Sequence, residues 1–100
     1  MPERASVPTM SVEHDLVSGR FTIAASSGTA VLSYAAAGSD LLEIYSTYVP
    51  PADRGHGIAA RLVQAAVEYA RAQGLRIIPS CWYVAQWLRH HPEHADLVAS

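Results

Sequence analysis

Three groups of residues have types and spacing that could do chemistry. The first is Arg54-Gly55-His56-Gly57-Ile58-Ala59, where two glycines lead into a strongly helical sequence with no Ser or Thr at its entry. The first N–H groups of a helix lack partners within it, and the dipole there is positive. Such donors, approached through glycine, form an anion site suited to phosphate. Arg54 adds a full positive charge at its mouth. In the plainer reading Asp53 caps the helix and the glycines serve backbone angles alone. The second group is Cys81 beside Trp82, the single cysteine, at a strand-to-helix joint. A thiol at a helix N-terminus can have a lowered pKa and act as nucleophile or acid. The commoner fate of a lone cysteine is that of a small apolar filler. The third group, Arg89-His90-His91, reads as the basic end of a surface helix. The five histidines and one cysteine show no zinc-ligand spacing, so no metal is expected.

Two phosphate motifs fail on context. Gly55-x-Gly57-x-x-Ala60 has dinucleotide-fingerprint spacing, but that fingerprint opens a first β-α unit and needs an acid at the end of the next strand. Here four strands are expected before it, and Ile77-Ile78-Pro79-Ser80 supplies no acid. A nucleoside triphosphatase loop needs Gly-Lys-Ser/Thr, which does not occur.

The elements that must position these groups follow from periodicity. Residues 1–10 carry two prolines and little pattern, and read as a flexible tail; 11–100 read as one domain. Strands are expected over Val12 to Val17, Arg20 to Ala24, Thr29 to Tyr34 and Leu41 to Val49. Turn signals lie between them, giving an antiparallel meander. After Pro50-Pro51 the period changes. Ile58, Leu62, Ala66, Tyr69 and Ala70 form a helical stripe, and Gly74 ends that helix. Leu75 to Pro79 reads as a short strand, parallel to the fourth because a helix separates them. Trp82 to His90 reads as a second helix burying Val84, Trp87 and Leu88. Pro92 stops it, and Glu93 to Val98 reads as a last helical turn. The fold class is α/β: a mixed sheet with antiparallel N-terminal strands, then β-α-β-α.

Composition narrows the function. Half of the 100 residues are apolar and 16% are charged, which is a globular composition. A net charge of −2 gives no basic footprint for nucleic acid. No apolar run reaches ~18 residues, so no membrane span is expected. One cysteine excludes an internal disulfide framework, and no leader is apparent, so a cytoplasmic setting is expected.

Arg54-Gly55-His56-Gly57-Ile58-Ala59 fits the Gln/Arg-x-x-Gly-x-Gly/Ala motif of the GNAT acetyltransferase superfamily. Together with Thr47-Tyr48-Val49-Pro50, Pro79-Ser80-Cys81-Trp82-Tyr83-Val84 and Arg89-His90-His91-Pro92-Glu93, it resembles the compact GNAT-like subgroup across residues 12–98. The resemblance implies that the fourth and fifth strands splay apart around the pantetheine arm of acetyl-CoA. Backbone groups of Tyr48 and Val49 are then expected on the pantetheine. The N–H groups of Arg54, Gly55, His56, Gly57, Ile58 and Ala59 are expected on the diphosphate. Cys81 is expected beside the thioester, a position where the subgroup keeps cysteine. Trp87 falls where many GNAT enzymes place a tyrosine, with Tyr83 as a substitute.

One departure bears on mechanism. Relatives often read His-Thr-Glu-Val where this chain reads Ser46-Thr47-Tyr48-Val49, so both acid–base candidates of that strand are missing. A more distant carboxylate such as Glu43, reached through a relayed water, is an alternative base. The expected function is acetyl transfer from acetyl-CoA to an unidentified amine. The alternatives are an acyl-CoA-binding module without catalysis and an interaction domain without the cofactor.

Overall fold

The computed structural model describes residues 11–99; the expected tail lies outside them. Five strands form one sheet in the order β1 (Val12–Asp15), β2 (Arg20–Ala24), β3 (Thr29–Ala36), β4 (Leu41–Tyr48), β5 (Arg76–Pro79). The first four pair antiparallel and β5 runs parallel to β4. A parallel pair needs a crossover, which α1 (Ile58–Gln73) supplies; α2 (Trp82–Arg89) follows β5. Two short 3-10 turns are also found among the described residues, Pro51–Asp53 and Pro92–Leu97.

Strand periodicity decides which face is covered. Phe21 and Ile23 of β2, Ala30, Leu32 and Tyr34 of β3, and Leu42 and Ile44 of β4 are buried on alternate positions. They meet Leu62, Val63, Ala66, Val67 and Ala70 of α1 in one core. Each large apolar side chain so covered contributes roughly 1.5–3 kcal/mol. Val84, Trp87 and Leu88 of α2 join the same core, as the spacing requires. Tyr69 does not join the fully buried stripe. It stays half-buried and rings the core edge with His14, Phe21 and Tyr34.

The element ends differ from expectation by a few residues, each for a local reason. β1 stops at Asp15 rather than Val17, because Asp15 Oδ1 accepts the N–H groups of Val17 and Ser18 and bends the chain. β3 runs on to Ala36, and Ala37 N–H closes its turn on Leu41 O at 3.0 Å. β4 ends at Tyr48, before the two prolines. α1 ends where expected, its C-cap Gly74 in the left-handed conformation, φ 70°.

Asp53 corrects a second expectation. It does not cap α1, which has no side-chain cap at all. Its carboxylate turns back to the β2–β3 turn. Ser26 Oγ donates to Oδ1, and the N–H and hydroxyl of Ser27 both donate to Oδ2. Only 6% of Asp53 is exposed, so a carboxylate there needs these donors. The Ser26 hydroxyl, then the Ser27 groups, hold its pKa below the ordinary aspartate value. The native state therefore binds fewer protons than the unfolded chain in that range, and stability falls as pH drops through the folded pKa. In urea unfolding between pH 6 and 3, Asp53→Asn is expected to lose less stability on acidification than the parent. Parallel curves would remove Asp53 from the acid response.

Candidate functional site

β4 and β5 pair from Leu41 with Arg76 to Ile44 with Pro79, and no further. Pro79 has no N–H to offer a ladder. The chain then leaves the sheet: Cys81 N–H donates to Ile44 O at 3.0 Å and α2 begins. β4 continues to Tyr48 with β3 on one side and no paired strand on the other among the described residues. A cavity of about 520 Å³ opens there. Thr47, Tyr48 and Val49 line it from the strand, Trp82 and Tyr83 from α2, and Arg54, Gly55, Gly57, Ile58 and Ala59 from the loop and the start of α1.

The loop leads into a helix start whose first donors have no side-chain cap. Gly55 and Gly57 sit at φ 86° and 78°, in the region where a side chain is strained. A Cβ on either would meet nothing within 4 Å. The glycines therefore serve the backbone angle and leave open space on the cavity side. Gly57 is the N-cap of α1, and the first turn holds no acidic residue. The amides that begin α1 thus face the cavity end with a positive dipole and no side-chain acceptor. Arg54 braces this turn: its Nε donates to Val49 O at 2.8 Å, and its guanidinium carbon lies 6.0 Å from the Tyr48 ring centroid.

Seven of the eight residues expected to hold the cofactor line this one cavity. His56 is exposed and lies outside its wall. Cys81 is half-buried beside the cavity rather than in its lining. Its Sγ donates to Thr47 Oγ1 at 3.5 Å.

Thr47 is the residue the sequence reading overlooked. A β-bulge separates the pairs Tyr34–Ile44 and Ser33–Ser46, leaving Tyr45 unpaired. The extra residue inverts the alternation. Thr47 pairs with buried Leu32 and shares the face of Ile44, whereas Ser46 and Tyr48 fall on the opposite face. Trp87 does not reach the cavity. It is buried and stacked on His91, ring centroids 3.7 Å apart. Tyr83 does line it, and burial raises its phenol above the ordinary value, so it remains a proton-bearing donor at neutral pH. Glu43 accepts a hydrogen bond from the Ser80 hydroxyl, one residue before Cys81. Asp53 is the one carboxylate in the cavity wall, and both its oxygens are already engaged.

Known proteins resemble this chain in sequence and in fold. The sequence profile of the GCN5-related N-acetyl-transferase family matches residues 20–97. Protein NATD1 of Bos taurus is 35% identical over 83 residues, covering 81% of this chain and 74% of that protein. Protein NATD1 of Danio rerio is 33% identical over 91 residues, covering 87% and 83%. The solution structure of a GCN5-like, provisionally assigned N-acetyltransferase from Staphylococcus aureus superposes with a TM-score of 0.70 over 94% of this chain and 92% of its own, at 21% identity; that likeness concerns the fold alone. A mixed sheet whose β4 and β5 part at Pro79, a glycine turn feeding an uncapped helix, and a family profile spanning both place this chain in the GCN5-related N-acetyl-transferase family of acyltransferases.

Proposed function

We propose that the protein moves an acetyl group from acetyl-CoA to an amine. The observation that carries this is the uncapped, glycine-led start of α1 opening into the same cavity as the unpaired end of β4. The residues present fit the cofactor. A diphosphate suits the amides from Arg54 to Ala59, where a side chain on Gly57 would project into open space. The pantetheine arm is an amide chain, and the unpaired edge of β4 at Tyr48 and Val49 offers it strand-like hydrogen bonds. Bound acetyl-CoA supplies an acetyl group activated as a thioester.

The chain's own groups then do the rest. Cys81 stands next to Thr47, and the Thr47 hydroxyl can turn from accepting the thiol proton to donating to a thiolate. In a covalent route the Cys81 thiol would give up its proton and take the acetyl group as the thioester's carbon–sulfur bond breaks, and that proton would go to the departing sulfur. The amine then displaces the Cys81 sulfur and loses its own proton to solvent. Tyr83 can donate a hydrogen bond to a departing thiolate. The direct route, in which the amine attacks without Cys81, needs a base. The cavity wall holds no histidine, and its single carboxylate is engaged by Ser26 and Ser27. The covalent route must also shed the amine's proton to solvent, so the absence of a free base within the wall weighs on both routes alike. That absence also supports the second reading, an acyl-CoA-binding module without turnover.

Two substitutions test these readings. Gly57→Glu puts a carboxylate where a diphosphate is expected. The left-handed angle costs about 1–2 kcal/mol, too little to unfold a domain of ordinary stability. Calorimetry should find CoA binding abolished in a folded protein, and unaltered affinity would rule out this site. Cys81→Ala removes one sulfur. It is expected to keep CoA binding and lose transfer, while the parent shows acetyl on Cys81 by mass spectrometry after acetyl-CoA alone. Full activity in Cys81→Ala, with no adduct in the parent, would leave the direct route. CoA binding without turnover across a panel of amines would support the binding module.

A further inference from the structure

The β2–β3 turn lies 27 residues before Asp53 in the chain, yet it is wired to the loop that carries the amides. Three donors from Ser26 and Ser27 converge on one buried carboxylate. The same turn lies close to the loop's entry, where a Cβ added to Gly28 would come to 3.3 Å from Pro50 Cγ. Asp53 itself forms part of the cavity wall with Gly55 and Gly57.

Little else restrains that loop. Asp53 N–H and Arg54 N–H close a 3-10 turn on Pro50 O and Pro51 O, and nothing lies within 4 Å of where side chains on Gly55 and Gly57 would begin. Arg54 to Val49 O and Asp53 to the two serines are its side-chain ties among the described residues. An anion buried in the wall of an anion site also repels the ligand unless its charge is taken up by donors. The serines supply those donors.

We propose that Ser26 and Ser27 are positioning residues for cofactor binding, acting through Asp53 to fix the backbone that holds the diphosphate and to shield its charge. This rests on the acetyl-CoA reading of the loop. Neither serine lines the cavity. Both are exposed, so a methyl can be added at either without crowding the core.

The test compares the double variant Ser26→Ala/Ser27→Ala with Ser26→Thr/Ser27→Thr, which keeps both hydroxyls. CoA affinity in the alanine pair should fall roughly tenfold, as for loss of hydrogen bonds to a charged group. The threonine pair should restore it. Affinity for pantetheine, which lacks the diphosphate, should hardly change, and amide hydrogen exchange should quicken over residues 54–59. Equal CoA affinity in the alanine pair overturns the proposal. So does an equal loss for CoA and pantetheine, which marks general damage to the fold. If the parent binds no CoA, the reading of the loop fails on its own, and unchanged exchange over 54–59 then overturns the latch as well.

Discussion

A parallel strand pair that stops early governs this structure. β4 is eight residues long and β5 is four. Pro79 has no N–H with which to extend the ladder, and Cys81 N–H spends itself on Ile44 O as α2 turns away. Four residues of β4 are left with an open edge. Unpaired strand groups are costly to bury and ready to bond an extended partner. The cavity, the loop and the start of α2 are all arranged around that edge.

Under the proposed reading, a diphosphate at the loop end of the cavity would be held mostly by backbone. Hydrogen bonds from amides to a charged group contribute about 1.5–3 kcal/mol each, and the helix dipole adds about 0.3–1 kcal/mol. Arg54 is exposed, so salt and solvent weaken its charge. Its firmer role is mechanical, through Val49 O. Asp53 would oppose such an anion, but three donors cover its carboxylate.

Much of this was legible from residue order. The strands and α1 announced themselves by a change of period at Pro50-Pro51, and the glycine pair marked the turn into α1. Seven of eight expected binding residues fell on one cavity because they are contiguous, and local sequence sets local geometry. What escaped depends on distant partners. The bulge at Tyr45 carries no Gly or Pro to signal it, yet it swaps Thr47 for Ser46 on the working face. Asp53 looked like a cap because a cap needs only neighbours, whereas its donors lie on another hairpin. Trp87 sits at helical spacing from Tyr83, and only packing decides which of the two reaches the cavity.

The account stands on a ligand entering between the parted strands with its diphosphate on the α1 amides. Titrating 15N-labelled protein with CoA and following each backbone amide by NMR tests this most directly. The account predicts saturable shifts concentrated at Tyr48, Val49, residues 54–59 and the first turn of α2. It is contradicted if those amides stay still, or if the largest shifts gather at the opposite end of the sheet around Leu16, Val17 and Leu41.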